Sequence, residues 1–168
     1  ITIGTSKTHC FSGVFDGSDF SIEGLYISGD SYQYRGLFGY TAESSEICNV
    51  NMTYEYISNS YSYDCYAGGI TAYSNGKISN CSTDTMSIII SSTNTPSTKE
   101  TKYIYAGGIT AYSNGKISNC ANNGTVSSSS YSSPSYCGGI AGESRAEISD
   151  CINNGTISSS SSLSSSSA

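Results

Sequence analysis

The sequence predicts an all-β protein, folded as a right-handed parallel β-helix of about five coils with three short strands per coil. One 16-residue phrase occurs twice without change, at 66–81 and 105–120, and looser copies occupy 36–50 and 136–151. No stretch has helical periodicity, and the chain has 18 glycines and only 12% charged residues. Units that repeat every few tens of residues cannot bury their apolar faces alone, so we expect neighbouring copies to stack.

Recurrent corners are predicted to separate the strands. Two apolar positions three apart, such as Ile78 and Cys81, can both face inward only if the chain turns between them. Aligned on the isoleucine that opens each second strand, the copies place a residue tolerant of positive φ at this turn: Gly24, Asn49, Asn80, Asn119 and Asp150. Asn-Gly pairs predict two further corners, one at 75–76 and 114–115, the other at 123–125 and 154–156.

The predicted interior is a set of isoleucine and cysteine positions repeated in each coil. The residues expected to point inward are Ile70, Ile78, Cys81, Ile109, Ile117, Cys120, Ile140, Ile148 and Cys151. The three cysteines would form a ladder at about 4.8 Å spacing, with Val50 at the same position in an earlier coil. We expect reduced, metal-free thiols that pack as small hydrophobes, and a metal or redox role is the alternative. The other four cysteines fall at unlike positions, so no disulfide is assigned.

The chain is predicted to hold one β-helix domain at 1–157 and a serine-rich linker or tail at 158–168, unless the last strand fades into that tail. The repeat offset is 39 residues from Ile70 to Ile109 but 31 from Ile109 to Ile140, so the extra length at 91–103 should form a loop. We expect a piece of a longer solenoid, whose open ends could self-associate through unpaired strand edges.

Several motifs resemble those of GLUG-motif repeat proteins. Phe11 to Gly17, Ile22 to Ile27 and Gly36-Leu37-Phe38-Gly39 match the opening of such proteins, and the likeness extends over nearly the whole chain. Thr71 and Thr110 depart from it, because the motif has its second glycine there. The resemblance implies a secreted or cell-surface, adhesin-like β-helix and no catalytic residue.

Charge and composition disfavour several functions. A net charge of −6 and a pI near 4.5 provide no basic stripe for nucleic acid, and no apolar run is long enough to insert into a membrane. His9 is the sole imidazole, which leaves little material for nucleophilic catalysis, so we expect no enzyme and no cofactor. Asp16 and Asp19 are candidate calcium ligands, although two side chains supply fewer oxygens than calcium requires. An enzyme of the polysaccharide-lyase kind is the third hypothesis for the function, after the binding and structural hypotheses given below.

Tyrosine is the over-used residue that could bind a partner, with 15 in the chain. Rigid amphipathic rings suit contact with a glycan or a surface protein, although they could equally be packing residues at the strand entry. The candidate binding residues lie before the Gly-Gly strands and are Tyr61, Tyr63, Tyr66, Tyr103, Tyr105, Tyr131 and Tyr136. We therefore expect an adhesion or binding module, and a structural stalk or filament repeat is the alternative.

Overall fold

The structure is a computed structural model that describes residues 2–29, 33–53, 56–60, 64–92, 103–130 and 134–161. These residues form strands and turns and contain no helix. The strands, in chain order, are β1 (Val14–Asp16), β2 (Ser21–Glu23), β3 (Tyr26–Ile27), β4 (Tyr34–Arg35), β5 (Phe38–Thr41), β6 (Glu46–Cys48), β7 (Asn51–Thr53), β8 (Tyr56–Ser60), β9 (Cys65–Gly68), β10 (Thr71–Ser74), β11 (Lys77–Ser79), β12 (Ser82–Asp84), β13 (Ser87–Ser92), β14 (Ile104–Gly107), β15 (Thr110–Ser113), β16 (Ile117–Ser118), β17 (Ala121–Asn122), β18 (Thr125–Ser130), β19 (Ser135–Gly138), β20 (Ala141–Ser144), β21 (Ile148–Ser149), β22 (Ile152–Asn153) and β23 (Ile157–Ser161).

The strands pair in parallel with their equivalents one coil away, which makes the chain a parallel β-helix. We name the five sheets in the order in which the chain visits them: sheet A (β1, β6, β11, β16, β21), sheet B (β2, β7, β12, β17, β22), sheet C (β3, β8, β13, β18, β23), sheet D (β4, β9, β14, β19) and sheet E (β5, β10, β15, β20). Coil 1 holds β1–β3, and coils 2 to 5 hold β4–β8, β9–β13, β14–β18 and β19–β23. The predicted β-helix of about five coils is confirmed, and its handedness stays a prediction.

Each complete coil has five short strands, so the predicted count of three was wrong. The difference arises because two stretches that look continuous in sequence are bent. The Gly-Gly pair separates sheet D from sheet E, and a Cβ on Gly107 would lie 1.9 Å from the carbonyl oxygen of Thr110. No other residue fits so close to the backbone there, which explains why glycine recurs at this bend.

The corner between sheets A and B has the predicted left-handed residues, and their φ angles are 54° at Asn49, 53° at Asn80, 52° at Asn119 and 54° at Asp150. The prediction was wrong for Gly24. Phe15, not Ile22, pairs with Ile47, and Ile22 pairs with Met52. The register therefore places Gly24 (φ 73°) at the corner between sheets B and C, with Thr85 (φ 51°) as its equivalent two coils on.

An isoleucine ladder lines sheet A, where Ile47, Ile78 and Ile117 are fully buried and paired with one another across the strands. Ile70, Ile109, Cys81 and Cys120 join the same buried cluster, as predicted. Ile140, Ile148 and Cys151 keep the inward register but are partly exposed, because no described coil covers coil 5. Ile148, for example, is 43% exposed.

The interior row of sheet B changes chemistry along the rod. Coils 1 and 2 place Ile22 and Met52 there, and the later coils place Thr83, Asn122 and Asn153. Asn122 is fully buried, accepts from the Thr83 hydroxyl at 2.9 Å and donates to Asn153 Oδ1 at 2.7 Å. A Cβ on Gly108 would lie 2.4 Å from Asn122 Cγ. The second glycine of the Gly-Gly pair therefore makes room for the interior amide.

The N-terminal segment forms an arm beside sheet E. Ile3 bridges Phe38 and Phe11 bridges Thr41, both in parallel, and an antiparallel bridge joins Ser6 to His9. The arm thereby covers part of the edge of β5. It was not predicted as a structural element from the sequence.

Three predicted features near the chain's variable parts have different outcomes. Ser158–Ser161 continue β23 beside β18, so this part of the serine-rich tail is a strand, whereas 162–168 lie outside the described residues. Most of the predicted loop, 93–102, also lies outside them. No helix that is long and apolar enough to cross a membrane occurs in the described ranges.

Candidate functional site

Tyrosine side chains stack in a column along sheet D. Tyr34, Tyr66, Tyr105 and Tyr136 occupy one register position in four successive coils. Their neighbouring ring centroids lie 5.2, 4.9 and 5.0 Å apart, with interplanar angles of 25°, 9° and 8°. The parallel register alone produces this stack, because it places identical residues one strand spacing apart.

A second column runs along sheet E and packs edge-on against the first. Its rings, Tyr40, Tyr73 and Tyr112, are 4.6 and 4.7 Å apart. The ring centroids of Tyr105 and Tyr112 lie 5.6 Å apart with an interplanar angle of 88°, an edge-to-face geometry that complements the ring quadrupoles. Together the two columns form what we call the tyrosine wall, which consists of Tyr34, Tyr40, Tyr66, Tyr73, Tyr105, Tyr112 and Tyr136.

Burial differs along the wall and decides which parts can meet a partner. Tyr105 and Tyr112 are only 9% and 5% exposed, so these rings are packing residues. Tyr136 is 40% exposed, because the described part of the first column ends there. Stacking covers most ring faces, so the wall offers mainly ring edges, hydroxyls and the outer face of Tyr136.

The structure brings four of the predicted binding residues together. The first column contains Tyr66, Tyr105 and Tyr136. The ring centroid of Tyr103 lies 6.2 Å from that of Tyr105 and 6.4 Å from that of Tyr136. Tyr61, Tyr63 and Tyr131 lie outside the described residues.

Sequence reasoning missed the second column. Tyr73 and Tyr112 stand seven residues after Tyr66 and Tyr105 in the repeated phrase, and this constant spacing was the available signal. Its meaning depends on the Gly-Gly bend, which turns sheet E so that residues seven apart come into ring contact.

Burial in the wall favours neutral tyrosines. Desolvation raises the pKa of Tyr105 to about 12, with smaller contributions from the Glu143 carboxylate and neighbouring rings. Burial, followed by the Asp64 carboxylate, also raises the pKa of Tyr66. The charged phenolate is disfavoured in both cases because it would lose water.

We expect the folded protein to lose stability as the pH rises from about 10 to about 12. Unfolded tyrosines ionise near their ordinary pKa of 10.0, whereas Tyr105 retains its proton until about 12. The wall's contribution is therefore complete below pH 10 and is lost as the pH rises through the folded-state pKa. A urea titration at several alkaline pH values would measure this, with tyrosinate absorbance followed in parallel. Ionisation of all tyrosines near pH 10 in the folded protein would contradict it.

A groove adjoins the second column at the corner between sheets E and A. Its volume is about 540 Å³, and its lining residues are Lys7, Cys10, Tyr40, Ala42, Glu43, Tyr73, Asn75 and Asn114. The arm supplies the first two, and the others lie in or directly after β5, β10 and β15. The groove therefore follows the predicted Asn-Gly corner, and the arm closes one side.

Side-chain amides form a ladder in this groove. Asn75 Nδ2 donates to the carbonyl of Thr41 at 2.9 Å, and its Oδ1 accepts from Asn114 Nδ2 at 2.9 Å. Asn114 Nδ2 also donates to the Tyr73 hydroxyl at 3.2 Å. Both amide hydrogens of Asn114 are thus engaged, and its orientation is set.

The other candidate residues have local roles in the structure. Asp16 Oδ1 accepts from Asn49 Nδ2 at 2.9 Å and from the Ser18 backbone at 2.8 Å, and these two hydrogen bonds lower the pKa of Asp16 and cap the turn. The described residues contain no group of three or more His, Cys, Asp or Glu placed to hold a metal ion. His9 lies exposed on the arm beside Ser6 and Thr8, and this hydrogen-bonded group includes no carboxylate.

Two further features are the cysteine ladder, which has the predicted register, and a charged pair on the outer face of sheet A. All seven cysteines are free thiols. The pKa of the Cys120 thiol is raised by its hydrogen bond with Cys81 and then by burial, and its other neighbour in the ladder is Cys151. On the outer face of sheet A, Lys116 Nζ lies 3.0 Å from Glu147 Oε2, with both side chains about half exposed or more. An exposed pair of this kind contributes little to stability.

Comparison with known proteins gave no relatives. No family model matches the chain, and no curated protein and no solved structure matches it. The likeness to GLUG-motif repeats therefore rests on the residues quoted above and stays a prediction.

Proposed function

We propose that this chain is a non-catalytic binding module of a secreted or cell-surface protein, and that its tyrosine wall and the adjoining groove contact a glycan or a protein. The observation that carries the proposal is the wall itself: seven rings in contact, open at Tyr136 and bordered by a polar groove. Rigid rings with hydroxyls lose little entropy on contact with a partner. The GLUG resemblance supports the extracellular setting.

The geometry supports binding better than catalysis. The described residues of the wall and groove combine aromatic edges, amides and one charge of each sign, and they include no imidazole. The carboxylate of Glu43 is exposed to water at the groove. Such a surface can orient a partner without a group poised to transfer a proton.

Removing the exposed rings should abolish most of the binding. We expect the double variant Tyr103→Ser, Tyr136→Ser to lower affinity more than tenfold, because both rings lie at the accessible end of the first column. The measurement is binding to a glycan array and to immobilised extracellular proteins, with circular dichroism to verify the fold.

Tyr56→Ser is the matched control. Tyr56 is also exposed and also stacks on a tyrosine, Tyr26 at 5.3 Å, but it belongs to sheet C. Equal losses for the control and the double variant would show that the wall is not the contact surface.

End-to-end assembly is a second candidate function. Ile148 and Ile152 are 43% and 54% exposed in coil 5, where the strands have no described neighbour beyond them. Exposed strand edges of this kind are templates for further strands. Electron microscopy of the purified protein would show rods longer than one molecule if this function holds.

A further inference from the structure

We propose that the groove at the corner of sheets E and A is a saccharide site that takes a neutral, polyhydroxylated ligand, such as a short stretch of an uncharged polysaccharide. This inference rests on the proposed binding function and names the ligand class of one part of its contact surface. The groove is about 540 Å³, within the usual size range of small-molecule sites.

The polar groups of the groove are both donors and acceptors. Asn114 uses both amide hydrogens on Asn75 and Tyr73, so it presents its carbonyl oxygen, which accepts from no other described residue. The Tyr73 hydroxyl accepts the bond from Asn114 and shares a second hydrogen bond with the Tyr112 hydroxyl, and its own proton is left to donate when Tyr112 supplies the proton of that second bond. Sugar hydroxyls both donate and accept, so they can satisfy this pair of groups together.

The charges of the groove favour an uncharged ligand. Among the described residues that line the groove, Lys7 is the one cation and Glu43 the one anion, and both are exposed. Their charges cancel at long range, and the whole chain carries a net charge of −6. An acidic saccharide would meet Glu43 and the negative field of the protein, which disfavours it relative to a neutral one.

A protein partner suits the groove less well than a saccharide does. Protein interfaces are anchored by large apolar or aromatic side chains in dry pockets. Here Tyr40 is buried against Tyr73 and Tyr34, and Ala42 is the only aliphatic residue in the part of the lining that the structure describes. The accessible lining is therefore polar.

The groove is formed before any ligand arrives. The arm is fixed to β5 by backbone hydrogen bonds, from Phe11 N to the Tyr40 carbonyl at 2.9 Å and from Tyr40 N to the Gly4 carbonyl at 2.8 Å. The amide ladder fixes the opposite side. A rigid site loses less entropy on binding, which matters for a ligand held mainly by hydrogen bonds.

The test is calorimetric or NMR titration of the whole chain with neutral hexasaccharides of glucose, mannose and xylose, and with an acidic hexagalacturonate as comparison. We expect saturable binding of at least one neutral probe and weaker binding of the acidic one. Tyr73→Phe and Asn114→Ala should each lower the affinity about fivefold, the effect of one lost hydrogen bond. Tyr73→Phe keeps the ring stack, so its fold should be unchanged.

Matched controls remove the same groups elsewhere. Tyr56→Phe removes the hydroxyl of an exposed tyrosine in sheet C, and Asn123→Ala removes an exposed corner amide, so both should bind the neutral probe as the parent does. The proposal is overturned by tighter binding of the acidic probe, by equal losses in groove and control variants, or by no saturable binding of any neutral probe. In each of these outcomes, the array experiment with the Tyr103→Ser, Tyr136→Ser variant distinguishes the two proposals. If that variant loses array binding, the proposed function stands and only the saccharide site is wrong. If that variant keeps array binding, both proposals are wrong.

Discussion

Ile117→Ala is expected to lower the free energy of unfolding by about 2–5 kcal/mol, the usual cost of removing a large buried aliphatic side chain. Ile117 is fully buried in the middle of the isoleucine ladder, between Ile78 and Ile148. The coils on both sides are held by their own backbone pairing, so they cannot collapse into the cavity. Urea denaturation followed by circular dichroism would measure the loss.

Ile148→Ala is the matched control, because it makes the same change at the same register position one coil further on. Ile148 is 43% exposed, so its removal should cost about 1 kcal/mol. Similar losses for the two variants would show that coil 5 is covered in solution, and the account of the open end would then be wrong.

Asn122→Ala should also destabilise the protein strongly, by about 2–4 kcal/mol. The change removes the partner of the Thr83 hydroxyl at 2.9 Å, of the Gly124 amide at 3.1 Å and of Asn153 Oδ1 at 2.7 Å. Two of these groups, the Thr83 hydroxyl and the Gly124 N–H, are donors. Both would stay buried without a hydrogen-bond acceptor, because bulk water does not reach them. Thermal unfolding would show the loss as a lower melting temperature.

The neighbouring Asn123→Ala tests whether burial causes this effect. Asn123 is exposed and accepts one ladder bond, from Asn154 Nδ2 at 3.0 Å. Water can replace that bond, so we expect a change of about 0.5 kcal/mol or less. A loss as large as that of Asn122→Ala would indicate that the amide ladders stabilise the corners regardless of burial.

The fold was predictable because repetition and corner chemistry are local signals. The identical phrase established stacking, and Asn49, Asn80 and Asn119 marked a corner that the structure confirms with φ angles near 53°. The number of strands per coil was not predictable, since the bend at Gly107 is visible only as a close approach to the Thr110 carbonyl one strand later.

Features that occur in only one coil could not be predicted from the sequence either. Arg35 is fully buried in sheet D, in the register position of Ala67 in the next coil, and it donates to the carbonyls of Ser58 and Gly29. An arginine inside a row of small residues is unexpected from composition, because burial of a charge is costly without such partners. The groove depends on the arm, which has no repeat to reveal it.

The changing interior of sheet B makes the coils non-equivalent neighbours. A coil duplicated beside its parent meets its own residue type at every ladder position, as the phrases at 66–81 and 105–120 do in adjacent coils. A coil moved from one end to the other would set the Asn153 amide against Ile22, leaving a buried polar group beside aliphatic carbon. The rod can therefore lengthen by local duplication, whereas shuffling its coils would cost stability at each new junction.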